Sequence, residues 1–242
     1  MNEIGNVLAK RLGLIGQLDR EDREALASVR GKIRSVAGRQ DVLKHGDHPT
    51  ESVVVLTGLL YRYKITPDGR RQIHSFYLAN ETPSLEAIPL EIMDNNLAPV
   101  VDSTLGFIEH CEIERVIEDR PNLRKLIWRE TLVQAAAFRE WLTRNSQLPA
   151  HAAMAHLFVE MMMRAQALGI ARGNSLDLPI TQNDLADALG LSPVHVNRTL
   201  AALRGLGVEF RNGVLTIENL PELEELAGFD PTYLHLHGEA SS

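Results

Sequence analysis

Residues 180–207, ITQNDLADALGLSPVHVNRTLAALRGLG, admit few folds. They read as a helix, a sharp turn and a second helix. Thr181 is placed to cap the first helix, and Asp184 three positions on completes a box-like cap. Leu185, Ala188 and Leu189 supply its apolar face. Gly190 permits the left-handed backbone that ends it. Ser192 caps the next helix and Pro193 sits in its first turn, where no N–H is missed. Val196, Leu200 and Leu203 form one stripe at helical spacing, with Val194, Asn197, Arg198 and Ala201 opposite. An ordinary αα-hairpin in a helical domain also accounts for these residues. A short polar tip and one arginine on an open helix face are, however, what reading a DNA major groove requires.

The residues that follow favour the second account. Val208–Arg211 and Val214–Ile217 flank Asn212-Gly213, the dipeptide most suited to a two-residue hairpin turn with positive φ. A helix-turn-helix followed by such a hairpin makes a winged helix.

At 242 residues the chain has room for one large or two moderate domains. No run approaches the apolar length of a membrane span. Lys10 and Arg11 interrupt the first apolar stretch, which argues against a signal peptide. A single cysteine, Cys111, excludes an intramolecular disulfide framework and any cluster bound by several cysteines of one chain. It suits a reducing cytoplasm. The net charge of −7 sits awkwardly with nucleic-acid binding. Even residues 176–214 hold Arg198, Arg204 and Arg211 against Asp177, Asp184, Asp187 and Glu209, a balance of −1. Residues 120–172 carry eight basic side chains against Glu130, Glu140 and Glu160, a balance of +5. Binding is therefore expected to lean on geometry, symmetry and helix N-termini.

Taken in order, residues 1–35 look helical, with Leu14, Leu18, Leu26 and Val29 punctuating a charged segment and Asp19 as a cap. From residue 39 to about 110 the pattern turns to short strands: a buried run at 53–56, strands at 59–65 and 72–78 around the turn signature Pro67-Asp68-Gly69, and two more at 99–102 and 105–108. Such spacing predicts an antiparallel, jelly-roll-like β-roll. Residues 111–119 are a short helix or connector. Pro121 opens a long helix, PNLRKLIWRETLVQAAAFREWLTRN, with Leu123, Ile127, Phe138 and Leu142 on one side, widened by Leu126, Val133 and Ala137. At about 25 residues it would span roughly 37 Å, longer than one small domain needs, which favours pairing with its twin in a homodimer. A second helix runs from about 151 to 168, where Met161, Met162 and Met163 read as flexible core filler. Residues 176–178 are a short strand and 219–227 an acidic helix. From Phe229 onward the chain reads as a tail, and His235 and His237 as exposed. The class is α+β, with expected divisions at 1–119 (sensor roll), 120–147 (dimerisation helix) and 148–242 (winged helix-turn-helix).

The order of roll, long helix and winged helix resembles the CRP/FNR family of bacterial transcription regulators. The likeness covers nearly the whole chain and is strongest over 180–217. Lys44-His45-Gly46-Asp47 looks like the Gly-Asp turn of that family's roll, and Asp68-Gly69-Arg70 like its hairpin. Trp128-Arg129-Glu130-Thr131-Leu132 with Phe138-Arg139-Glu140-Trp141 is similar to the dimer helix of its nitrogen-fixation and oxygen-response branches. The resemblance implies a cytoplasmic homodimer that binds a two-fold symmetric site on double-stranded DNA and acts on RNA polymerase. It implies that Ser192 contacts phosphate and Arg198 reads a base. Thr181, Gln182, Val194, His195 and Asn197 complete the expected DNA-facing set. The glutamate common four residues before the arginine is Val194 here, which cannot accept a hydrogen bond from cytosine but suits a thymine methyl.

The sensor departs further from the family. Cyclic-nucleotide binders use a segment similar to Gly-Glu-Leu and, about ten residues later, Arg-Ser or Arg-Thr. The matching stretch here is PSLEAIPLEIMDNNLAPVV. Glu86 keeps the ribose-contacting position, but Leu85 replaces the glycine, Asn96 the arginine and Leu97 the hydroxyl residue. A regulator answering to no cyclic nucleotide is thus expected ahead of a cyclic-nucleotide-responsive one. Leu85, Ile88, Leu90 and Leu97 would suit an apolar ligand, or simply fill the roll. His74 and His110 are read as structural histidines rather than haem ligands. No cofactor or metal is expected. The competing class is a cupin-type metal enzyme built on His45, His48 and Glu51, but its first motif needs His-x-His and the spacing here is His-x-x-His-x-x-Glu. No Ser/His/Asp, phosphate-loop or dinucleotide signature is present.

Overall fold

The computed structural model describes residues 2–236, and by its internal contacts the chain forms two units. The first takes in residues 2–62, 76–135 and 235–236; the second takes in 63–75 and 136–234. No helix of the described residues is long and apolar enough to cross a membrane.

The first unit opens with α1 (Glu3–Ile15) and α2 (Arg20–Ala27). Asn2 caps α1 by accepting from the Gly5 N–H at 2.6 Å, and Asp19 and Asp22 form a capping box on α2. Next come β1 (Lys32–Val36), β2 (Glu51–Thr57), β3 (Leu60–Ile65), β4 (Arg71–Tyr77), β5 (Asn96–Pro99) and β6 (Ser103–Glu109). They form two three-stranded sheets in the orders β1-β6-β2 and β4-β3-β5, the first of them antiparallel. Helices α3 (His110–Ile117) and α4 (Pro121–Gln147) follow.

The run Val53-Val54-Val55 is apolar throughout because β2 is covered on both faces. Val53 and Val55 pack inside the roll with Leu97, Leu105 and Phe107, while Val54 faces α1, Ile108 and the first half of α4. That outer core joins Ile4, Leu8, Leu12 and Ile15 of α1 to Leu123, Leu126 and Val133 of α4. A buried ion pair reinforces it: Glu130 receives Arg11 Nε at 2.9 Å, Gln134 Nε2 at 3.0 Å and the Thr82 hydroxyl at 3.3 Å on one oxygen.

Three expectations are corrected between α1 and the end of α4. The N-terminal helical region ends at Ala27, and 32–36 is a strand paired with β6 from Lys32↔Phe107 to Val36↔Ser103. It is an edge strand with four of its five residues exposed, so only its non-local partner reveals it. The strand expected at 99–102 lies earlier, at Asn96–Pro99. The chain turns after it, where the Ser103 hydroxyl donates to the Val101 carbonyl and the Gly38 N–H to the Asp102 carboxylate. The apolar residues of α4 also divide differently. Leu123, Leu126 and Val133 face inward, whereas Trp128, Leu132, Phe138 and Leu142 are exposed by 68%, 52%, 48% and 64%.

The second unit is built around α5 (Ala150–Ala167), buried on nearly all sides. Around it lie the end of α4, β7 (Ser175–Asp177), α6 (Gln182–Leu189), α7 (Pro193–Arg204), β8 (Val208–Arg211), β9 (Val214–Ile217) and α8 (Leu220–Ala227). Met161 and Met162 are core filler as expected. Residues 229–234 are not a tail. Phe229 and Tyr233 pack on the His156 ring at centroid distances of 4.8 and 6.0 Å, Leu234 is buried, and the Tyr233 hydroxyl donates to Glu160 at 3.0 Å. A buried carboxylate and imidazole recruit the segment, and both lie far away in sequence. His235 is exposed, and His237 lies outside the described residues.

Candidate nucleic-acid interface

The two helices of the motif are capped as their residues demand. Thr181 and Asp184 form a capping box on α6, and Gly190 ends that helix at φ 67°. Ser192 caps α7, accepting from the His195 N–H at 3.2 Å, with Pro193 in the first turn. Val196, Thr199, Leu200 and Leu203 are buried. That leaves Ser192, Val194, His195, Asn197, Arg198 and Ala201 exposed on the other side, Val194 by 65%. Among the described residues the Arg198 guanidinium has neither ion pair nor hydrogen bond.

Thr181 and Gln182 are exposed at the start of α6. The Thr181 hydroxyl is already engaged: it accepts from the Asp184 N–H at 3.1 Å and donates to the Asp184 carboxylate at 2.8 Å. It therefore has no proton left to give a phosphate, whereas the Gln182 amide is uncommitted among the described residues.

Beside the motif stands the wing, a sheet in the order β7-β9-β8. Its turn residues Asn212 and Gly213 have φ of 53° and 75°, the pair of positive values that a type I′ hairpin needs. Phe210 packs against Phe158 of α5 with ring centres 5.6 Å apart, and Leu215 is fully buried, so the wing is anchored in the core. Its tip presents Arg211 and Asn212 to solvent.

Charge is arranged in a way the sequence did not disclose. Arg71, at the start of β4, places Nη2 2.7 Å from Asp184 and Nε 2.7 Å from Asp187. Adding it to the local count cancels the balance of −1 over residues 176–214. Not all of the positive balance of 120–172 reaches the surface, because Arg144 and Arg164 are buried around Glu160. Nothing in the sequence pointed to Arg71, whose partners lie 113 and 116 positions away.

A model of the Crp-like helix-turn-helix domain matches residues 152–226. The anaerobic regulatory protein of Aggregatibacter actinomycetemcomitans is 25% identical over 225 residues, covering 90% of this chain and 85% of that protein. The nitrogen fixation regulation protein FixK of Bradyrhizobium diazoefficiens is 27% identical over 197 residues, 78% of each. The structure of FixK2 from Bradyrhizobium japonicum superposes with a TM-score of 0.73 at 20% identity, covering 82% of this chain and 98% of that one. Residues 152–226 thus match a Crp-like helix-turn-helix domain, and over most of its length the chain is similar to regulators of the CRP/FNR type. It is a transcription regulator with a DNA-binding helix-turn-helix.

The positions that match cyclic-nucleotide contacts in such regulators are occupied from within. Glu86 lies in a single 3-10 turn, Leu85–Ala87, and its carboxylate pairs with the Arg62 guanidinium, which also donates to the Pro83 carbonyl. Burial opposes the charge on Arg62, but Tyr77, Glu86 and Asp94 outweigh it and hold the guanidinium above its ordinary pKa. The Arg62 carbon also lies 5.4 Å from the Tyr77 ring centre. A cation therefore does face Glu86, contrary to a reading that counted only Asn96 and Leu97. Asn96 accepts from the His45 N–H at 3.0 Å. Leu85 and Leu97 are fully buried but belong to different core clusters, and Leu90 is 48% exposed, so the four apolar residues do not line one pocket.

His45 and His48 are exposed, and Glu51 is engaged by Arg34 and Lys32. The described residues contain no group of three His, Cys, Asp or Glu placed to hold a metal ion. His74 meets Phe138 edge-on at 5.5 Å. Burial lowers the His110 pKa, favouring a neutral ring. Cys111 is exposed, 3.8 Å from the Glu109 carboxylate.

Proposed function

We propose that the chain acts as a homodimer in the cytoplasm, reading a pseudo-palindromic DNA site through α7 and acting on RNA polymerase, with no cyclic nucleotide required. The observation that carries this reading is the open face of α7. Val194, His195, Asn197 and Arg198 stand in solvent, while the opposite face is locked into the core by Val196, Leu200 and Leu203. A bidentate Arg198 contact to guanine fits the uncommitted guanidinium. Val194 suits an apolar contact to a thymine methyl.

Binding-site selection from a randomised duplex pool tests this. The recovered sequences are expected to share an inverted repeat with half-sites one helical turn, about 34–36 Å, apart. Arg198→Ala should cost about 1–3 kcal/mol per half-site and relax preference at one base pair. Ser192→Ala should weaken binding across all sequences alike, since its contact is to phosphate. Undiminished selectivity in Arg198→Ala would assign the reading to another residue.

The sensor proposal rests on the Arg62–Glu86 pair. A cyclic phosphate entering this part of the roll would have to take Arg62 from Glu86. That would strand a carboxylate only 17% exposed, at a cost of several kcal/mol. Titration calorimetry with cyclic AMP and cyclic GMP is expected to show no binding at micromolar concentration. A stoichiometric heat with a micromolar Kd for either nucleotide would refute it.

A further inference from the structure

Within the second unit, Arg71 does more than balance charge. Its guanidinium spans two acids one turn apart on α6. Nη2 meets Asp184 Oδ1 and Nε meets Asp187 Oδ2, each at 2.7 Å, with the arginine side chain 23% exposed. Asp184 is 1% exposed, and its second oxygen accepts from both the N–H and the hydroxyl of Thr181 at 2.8 Å. A continuous chain of charge-assisted contacts thus runs from Arg71 through Asp184 to the first residue of the helix-turn-helix. The arginine is held on a stiff support. Gly69 turns the preceding loop at φ 82°, Thr66 N–H donates to the Arg70 carbonyl at 2.8 Å, and Asp68 binds Arg70 Nε at 2.7 Å.

We propose that Arg71 is a positioning residue for DNA binding: it holds the first turn of α6 through Asp184 and cancels the charge of Asp187 beside the DNA-facing residues. The proposal rests on the reading of α6 and α7 as the DNA-binding pair. Without Arg71 a buried carboxylate loses its counter-charge, and two negative groups remain close to incoming phosphates. Lysine would keep the charge but cannot span both acids with a rigid fork.

The test uses the full chain and a duplex recovered by site selection with the wild-type protein. Arg71→Gln is expected to lose about tenfold in affinity at low salt and distinctly less at high salt, because charge repulsion is screened. Adding Asp187→Asn to that variant should restore most of the low-salt affinity. Asp187→Asn alone, at a position 30% exposed and outside the capping box, should tighten low-salt binding about two- to threefold by leaving Arg71 charge in excess. This last variant keeps the proposal testable if Arg71→Gln does not fold. The proposal is overturned if Arg71→Gln binds within about twofold of wild type at low salt. It also falls if the loss is equal at both salts with no recovery in the double variant, or if Asp187→Asn alone fails to tighten binding. Arg198→Ala is the control that separates the two readings. If it loses affinity while Arg71→Gln does not, only the role of Arg71 falls. If neither matters, or selection recovers no duplex, the DNA-reading assignment falls with it.

Discussion

Glu160→Gln is expected to destabilise the second unit by about 3–5 kcal/mol, measured as a fall in the urea unfolding midpoint. Glu160 is fully buried, accepts hydrogen bonds from three groups and forms an ion pair with a fourth. One oxygen receives the Trp141 indole N–H at 2.8 Å and the Tyr233 hydroxyl at 3.0 Å, and lies 3.8 Å from Arg144 Nη1. The other receives Arg164 Nη1 at 2.9 Å. Arg144 is itself fully buried, with its guanidinium 4.2 Å from the centre of the Trp141 ring and, among the described residues, no hydrogen-bond partner for either terminal nitrogen. Burial pulls its pKa down to about 10, and Glu160 is the main influence keeping it charged.

His156 offers no alternative anchor. Burial and the nearby Arg144 charge hold its pKa at about 4, so the ring is neutral at pH 7 and its 3.4 Å approach to Glu140 is not an ion pair. Glutamine keeps one acceptor but removes the charge that both arginines need, which is why breaking such a cluster costs more than its net worth. Replacing Arg144 and Glu160 together by Met and Leu should recover part of the loss. A change below about 1 kcal/mol in Glu160→Gln would mean that water reaches this cluster.

Leu132→Glu is expected to convert the proposed dimer to monomer. Trp128, Leu132, Ala135, Phe138 and Leu142 are all exposed on α4 and recur at three- and four-residue intervals, forming a seam along a helix of 27 residues. Four large apolar side chains, each about half exposed or more, are a self-complementary patch of the kind a two-fold interface uses twice. Because each substitution appears on both subunits and Leu132 is about half exposed in the single chain, losing two leucines from the seam costs roughly 1.5–3 kcal/mol, on the order of ten- to a hundredfold in dimer Kd. Burying two carboxylates adds to that. Leu132 touches solvent in the single chain, so the helix content and melting of the monomer should change little. Light scattering at micromolar concentration checks the mass, and DNA affinity should fall with it, since one subunit reaches only one half-site. An unchanged dimer mass would place the interface elsewhere.

Much of the DNA-reading region was legible from the sequence because its determinants are local. Thr181 and Asp184 are three residues apart, Gly190 and Asn212-Gly213 need backbone angles that few other residues tolerate, and Ser192 caps its own helix. Such features are decided within one turn of chain, so spacing alone declares them. The continuous valine run likewise announced a strand covered on both faces. The α4 seam was only half legible: that helix is apolar on two sides, and periodicity cannot say which side its own core takes. Leu123 and Val133 went inward and Leu132 outward because α1 and β2 lie against the former. Strand β1, the docking of Phe229 and Tyr233, and the partners of Arg62 and Arg71 were decided by tertiary structure alone. Each depends on which distant groups the folded chain brings within hydrogen-bond reach. A charged side chain carries no mark of its partner in the sequence, because the attraction that selects it acts through space and not along the chain.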